Sequence, residues 1–296
     1  MLDLHCHSTC SDGTDAPEVL AGLAGALGLT AVALTDHDAV AGFERFSTAC
    51  SAVGVRPVRA AEISCLEEGR STHVLCYFIS DDESSELRRL LGDLAGDRRR
   101  RNELLIAKLA ELGYGDVTYE EVVRSAGGDE GSIGRPHFAD ALLRCYPGRF
   151  AGRQEVFDQL LGSGGAAYVP KARVDVAQAS KVAGADGALT VLAHPIVTFF
   201  GGAPPEDRDL GAVERRLEGV LSRLRADGLS GLECYYPTHD PATTELLVSL
   251  ARRHDLVPTG GSDYHGTNKP GLGFAVGYGD LRVPDEALEA LEALRA

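Results

Sequence analysis

Residues 3–13 read DLHCHSTCSDG. The short apolar run Leu2–Leu4 reads as a buried strand that ends in two histidines two positions apart. Side chains alternate along a strand, so His5 and His7 project to one side and Cys6 to the other. Two imidazoles on one side suit a borderline metal such as Zn, Mn or Fe. One such pair is weak evidence, so the question is whether other strands end the same way.

They do. Ala31–Leu34 runs into TDHD, which places Asp36, His37 and Asp38 just past a strand. Pro57–Ala61 ends in Glu62, His73 opens the run to Phe78, and Ala188–Ala193 runs into His194. Gly231–Tyr235 and Val257–Gly260 complete the strands, the last leading into GGSDYH with Asp263 and His265. In α/β folds, ligands bind beyond the carboxyl ends of strands, so these groups are expected at one edge of the sheet. Asp12 belongs with them, although SDGT also fits a turn. Asp36 and Asp38 are expected as helix caps or turn formers.

Amphipathic stretches lie between the strands. Asp15 and Pro17 open one, with Val19, Leu20, Leu23 and Leu27 on its apolar face. Strand–helix alternation argues a mainly parallel sheet or barrel. From Asp97 to about Arg173 the pattern is almost all helical: Leu105, Leu109 and Leu112 share a face, and helices fit Tyr119–Ala126, Pro136–Cys145 and Glu155–Leu161. This predicts two units, residues 1–96 with 174–296, and a helical insert over 97–173. Within the insert, RRRR at 98–101 is expected to be a solvated helix face, with a phosphate-attracting rim as the alternative.

The 296 residues carry a formal charge of −15, which disfavours an extended nucleic-acid duplex as partner but leaves a small anion receivable by metals or a local basic pocket. No apolar run suits a membrane span and no secretory signal is visible. The seven cysteines are scattered, without a CxxC pair, and are expected as reduced thiols of a cytoplasmic protein.

With HCHSTCSDG, TDHD, Glu62, His73, AHP at 193–195 and GSDYH at 261–265, the chain resembles the PHP (polymerase and histidinol phosphatase) superfamily. The resemblance implies an α/β fold, a distorted (β/α)7 barrel with a small helical cap, and two to three divalent ions (Mn, Fe or Zn). It implies one metal on His5, His7, Glu62 and Asp263. A second falls to Glu62, His73 and His194, and a third to Asp12, His37 and His265. The segments GRPHFADAL (134–142) and YVPKARVD (168–175) resemble the cap of a branch of nucleotide phosphatases. Members of that branch remove the 3′-phosphate of 3′,5′-bisphosphonucleotides, act on nucleoside monophosphates, or degrade short RNA from its 5′ end. By that resemblance Arg135, His137 and Lys171 contact substrate phosphate. Arg offers a planar fork to phosphate oxygens and Lys a point charge.

No GxSxG elbow or P-loop occurs to supply a protein nucleophile, so metal-activated water is the expected attacker. Tyr236 and His239 are candidates for a base or sugar pocket, with wall packing and an exposed loop as the alternatives. The competing readings are a histidinol-phosphate phosphatase, a cyclic-phosphate hydrolase, a proofreading exonuclease and a metal-binding module without activity. The insert argues against the first and the acidic surface against the third. The complete ligand set argues against the last.

Overall fold

The computed structural model describes residues 1–126 and 133–295. Eight strands form one sheet: β1 (Leu2–Cys6), β2 (Ala31–Leu34), β3 (Arg56–Glu67), β4 (Arg70–Tyr77), β5 (Val174–Asp175), β6 (Leu189–Leu192), β7 (Gly231–Tyr235) and β8 (Val257–Gly260). Their order is β1-β2-β3-β4-β6-β7-β8, with the two-residue β5 added on β3. Past β8 the chain returns to β1. Asp263 N–H donates to His5 O at 2.7 Å and His7 N–H to Tyr264 O at 2.9 Å, so the sheet nearly closes into a barrel. Most pairings are parallel, but β4 runs antiparallel to both β3 and β6. A two-residue turn at Glu68 and Gly69, both at positive φ, joins β3 to β4.

Leu2, Leu4, Ala31, Ala33, Val58, Leu75, Tyr77 and Val191 share one buried cluster. Cys6, Val32 and Leu34 instead pack with Leu20, Ala21, Ala24 and Phe46 of the helices Pro17–Ala26 and Phe43–Val53. Leu4 and Cys6 face different clusters because the β1–β2 register shifts between Asp3 and Cys6. This bulge turns His5 and His7 to the interior side. The β7–β8 register also shifts, between Glu233 and Tyr235, while Leu232 and Cys234 stay in one cluster.

Several expectations need correction. Ala21 and Ala24 are buried on the first helix, whereas Val19 and Leu27 are 48% and 43% exposed. The helix cap is Ala16, and Asp15 accepts a hydrogen bond from Tyr264 Oη instead. Leu112 is exposed. The third strand does not end at Glu62 but continues to Glu67.

The helix Glu86–Glu111 crosses the expected boundary at residue 97 without a break. Its Leu87, Leu91 and Leu94 pack with barrel residues. Leu105 and Leu109 pack in a separate cluster drawn from residues 105–169. That cluster includes the helices Tyr119–Ser125 and Arg135–Cys145 and the π-helical turn Phe157–Leu161. Among the described residues no helix is long and apolar enough to cross a membrane.

Candidate metal centre and phosphate cavity

Glu62 stands at the middle of the expected ligand set. Its Oε1 lies 2.9 Å from His73 Nδ1, 3.0 Å from His194 Nε2 and 3.6 Å from His5 Nε2. Its Oε2 lies 2.9 Å from His37 Nδ1 and 3.3 Å from His7 Nε2. Asp263 Oδ1 is 3.4 Å from His5 Nε2 and 3.5 Å from His7 Nε2. Asp12 Oδ1 is 3.2 Å from His265 Nε2, and its Oδ2 is 3.7 Å from His37 Nε2. Two donors each about 2.1 Å from one tetrahedral ion stand about 3.4 Å apart, so several of these spacings match edges of a coordination shell. His5 Nε2, His7 Nε2, Asp12 Oδ1 and His37 Nδ1 are buried without a hydrogen-bond partner among the described residues. Buried polar atoms without partners are costly, and a divalent ion would satisfy them.

The donors fall into three overlapping groups: His7, Asp12, His37 and His265; His5, His7 and Asp263; and His37, Glu62 and His73. His194 joins through Glu62. These groups differ from the implied sets in giving His7 and His37 two neighbourhoods each.

Backbone geometry serves this crowding. His194 (φ 29°), Asp263 (φ 50°) and Asp38 (φ 54°) are all left-handed non-glycine residues at or beside the centre. A Cβ on Gly261 would lie 2.4 Å from both Cβ and N of His5, so only glycine lets the end of β8 approach β1. Burial acts to raise the carboxyl pKa of Glu62, but His73, His37 and His5 outweigh it and hold the group well below its usual range. Asp12 is likewise held low against burial by His37 and His265.

Glu233 was not anticipated. It is fully buried, accepts from His5 Nδ1–H at 2.8 Å through Oε1, and accepts from His194 backbone N–H at 2.7 Å through Oε2. This fixes the His5 tautomer with Nε2 free for a metal. Its only signal was a lone acid in the apolar run GLECY. Lys269 was also missed: with Tyr236 Oη at 2.7 Å, it holds Asp263 Oδ2 and leaves Oδ1 toward the histidines.

A cavity of about 250 Å³ opens over Asp12, His37 and His73. Arg98, Arg101, Arg135, Lys171 and Arg173 line it. Reading RRRR as a solvated face was therefore wrong for Arg98 and Arg101, which are 7% and 6% exposed, and right for Arg99 and Arg100. Asp38 caps no helix. It accepts from Ser64 N–H at 2.6 Å and pairs with Arg98 at 2.6 Å and Lys171 at 3.0 Å. Asp36 secures the loop after β1 by accepting from Ser8 and Ser11. Burial and Arg98 push the Lys171 ammonium down to about 8, against the pull of Asp38.

Arg135 donates to Leu161 O and lies over Phe157 and Tyr168. The π-helical turn supplies both the carbonyl and the Phe157 ring. His137 does not line the cavity; its Nδ1 accepts from Gly134 N–H and caps the helix carrying Arg135. Tyr236 and His239 line a second cavity of about 410 Å³ with Tyr235, separate from the one lined by the arginines. His239 Nδ1–H donates to Cys234 O.

Fold and centre define a metal-dependent hydrolase of phosphoric esters. The chain belongs to the PHP domain family, which it matches over residues 3–163. It is 33% identical over 280 residues to a phosphoribosyl 1,2-cyclic phosphate 1,2-diphosphodiesterase of Eggerthella lenta, covering 93% of this chain and 98% of that one. A 5′-3′ exoribonuclease of Haemophilus influenzae is 29% identical over 89% of both chains. A 3′,5′-nucleoside bisphosphate phosphatase of Chromobacterium violaceum is 26% identical over 91% of this chain and 89% of its own. The crystal structure of a metal-dependent phosphoesterase from Bifidobacterium adolescentis superposes with a TM-score of 0.79 at 29% identity, covering 100% of this chain and 96% of that one.

Proposed function

We propose that the chain removes a phosphate monoester from small nucleotides, with 3′,5′-bisphosphonucleotides as first choice and AMP-like monophosphates next. The observation that carries this reading is the cavity that sets Arg135 and Lys171 opposite Asp12, His37 and His73. In it, His5, His7, Asp12, His37, Glu62, His73, His194, Asp263 and His265 hold two to three divalent ions of Mn, Fe or Zn, as the all-N/O donor set suits. Bound ions would supply Lewis acidity at the phosphate and an activated water.

The chain's own groups do the rest. Arg135, fixed by Leu161 O and the two rings, and Lys171 hold phosphate oxygens and take up charge as the ester bond breaks. His137 acts here by capping the Arg135 helix, not by touching phosphate, because it does not line the cavity. Tyr236 braces Asp263, and with His239 it walls a neighbouring cavity where a base or sugar edge fits. The unjoined cysteines are in keeping with a cytoplasmic setting.

A second reading, hydrolysis of a ribose cyclic phosphate, is favoured by the likeness to the Eggerthella lenta enzyme. A phosphate-release screen of the Mn-loaded protein separates the readings. It compares 3′,5′-bisphosphoadenosine, AMP, a 5′-phosphorylated RNA dinucleotide, a ribose 1,2-cyclic phosphate and histidinol phosphate, with Arg135→Ala in parallel. Fast release from the bisphosphate, lost by 10²-fold or about that in the variant, supports the proposal. Turnover of the cyclic ester or histidinol phosphate alone would sink it.

A further inference from the structure

The loop that carries Asp12 is stitched to the turn that carries His265. Thr267 N–H donates to Thr14 Oγ1 at 2.9 Å, and Tyr264 Oη donates to Asp15 at 2.8 Å. Asn268 ends the short helical turn Gly266–Asn268 and adds a third stitch, donating Nδ2–H to Asp12 O at 2.8 Å. Asp12 Oδ1 and His265 Nε2, 3.2 Å apart, therefore sit on two segments that Asn268 ties together. Asn268 also meets the cap. Its Oδ1 accepts from Arg153 Nη2 at 2.9 Å. Asp140 aims that arginine, accepting Nε–H through Oδ1 at 2.5 Å and Nη2–H through Oδ2 at 2.6 Å. Asp140 lies on the helix Arg135–Cys145, and Arg153 opens the next short helix. The helix of Asp140 begins over the same loop, since a Cβ on Gly134 would lie 3.8 Å from that of Asp12. Only one orientation of the Asn268 amide serves both neighbours: its oxygen must meet the guanidinium and its nitrogen the carbonyl. A carboxylate–guanidinium fork, an amide of fixed orientation and a backbone carbonyl thus form one chain from the cap to the metal centre. None of Asp140, Arg153 and Asn268 lines the cavity over Asp12, His37 and His73, so phosphate contact does not account for them.

We propose that Arg153 and Asn268 are positioning residues that couple the seating of the cap to the hold of Asp12 and His265 on a divalent ion. With the cap seated, Arg153 fixes the Asn268 amide and the amide fixes the backbone of Asp12. With the cap displaced, Asn268 is free to turn and the Asp12 loop relaxes. This rests on the ligand set proposed above, but not on which phosphoric ester is the substrate. By linkage the effect runs both ways: an ion on Asp12 and His265 steadies the cap as much as the seated cap steadies the ion.

The test titrates metal-free protein with Mn(II), read by the paramagnetic resonance signal of the free ion, with amide exchange in the cap as second readout. Asp12→Ala marks the ion concerned as the one it weakens most. Arg153→Gln should weaken that same ion by about 3- to 10-fold, the worth of one hydrogen bond, and leave the other ions at wild-type affinity. Asn268→Leu should weaken it by about 10-fold or more, because the group that touches Asp12 is gone. Arg153→Lys keeps a donor toward Asn268 and should recover part of the loss. In wild type, Mn(II) should slow amide exchange across residues 135–161, and Arg153→Gln should abolish that slowing. Arg153 and Asn268 are both partly exposed, and the second site covers the case in which one variant misfolds. Wild-type binding of every ion in both variants, or equal weakening of all ions in folded protein, overturns the coupling. If Asp12→Ala itself binds every ion as wild type does, the ligand set falls and the coupling with it, which tells the two failures apart.

Discussion

Glu233 touches two members of the centre at once, the Nδ1–H of His5 and the backbone N–H of left-handed His194. In Glu233→Gln the amide can still accept one of these bonds but loses the charge that orients both. We expect metal affinity to fall by about 10- to 100-fold, read by competition with a chelating dye, with the melting temperature of the metal-free protein changed far less. Unchanged affinity would remove Glu233 from the centre. Lys171 makes a pH prediction. Its ammonium sits near pH 8, below the ordinary lysine value, so its charge is present below that pH and lost above it. The alkaline limb of kcat/KM should therefore fall near pH 8, and Lys171→Arg should move it upward by more than about one unit, since guanidinium stays charged. The ligand candidates were legible because histidines and acids at strand ends are unusual. Glu233 was not, because a single acid in an apolar strand has no pattern to set it apart. Arg101 was readable in principle: Leu94, Arg98, Arg101 and Leu105 make one buried stripe at helical spacing. The density of charge at RRRR masked that stripe.

At the scale of elements, β1 and β8 meet only because Gly261 has no side chain. Gly261→Ala places a carbon 2.4 Å from His5 N and Cβ. We expect a loss of roughly 2 kcal/mol or more in denaturant unfolding, together with weakened metal binding. A variant as stable as the parent would show that the seam can shift. Strand positions were largely legible, since short apolar runs between turn signals identify them. Strand direction was not. A period-two pattern is the same read either way, so nothing marked β4 as antiparallel to its neighbours. β5, with two residues, is too short to carry any pattern.

For the whole molecule, the centre is a cluster of buried imidazoles and carboxylates at the barrel mouth, and ions that bind it stabilise the folded state by mass action. Chelation followed by calorimetry should lower Tm by roughly 5–10 °C, restored by adding back the metal. No change would mean that the ions contribute nothing to folding. The helix Glu86–Glu111 joins barrel and cap as one piece about 39 Å long, pinned near its middle where Arg98 meets Asp38. In mechanical terms the cap is a cantilever on a stiff beam, without a pivot on its incoming side. Any swing of the cap must be taken up by the returning segment, residues 162–173, which carries Lys171 and Arg173. Amides of residues 94–104 should then exchange with solvent as slowly as those of the barrel strands, and those of 162–173 faster. Whatever loosens the returning segment also displaces Lys171 and Arg173 from the cavity wall, so on the proposed function cap movement and phosphate capture would be one event.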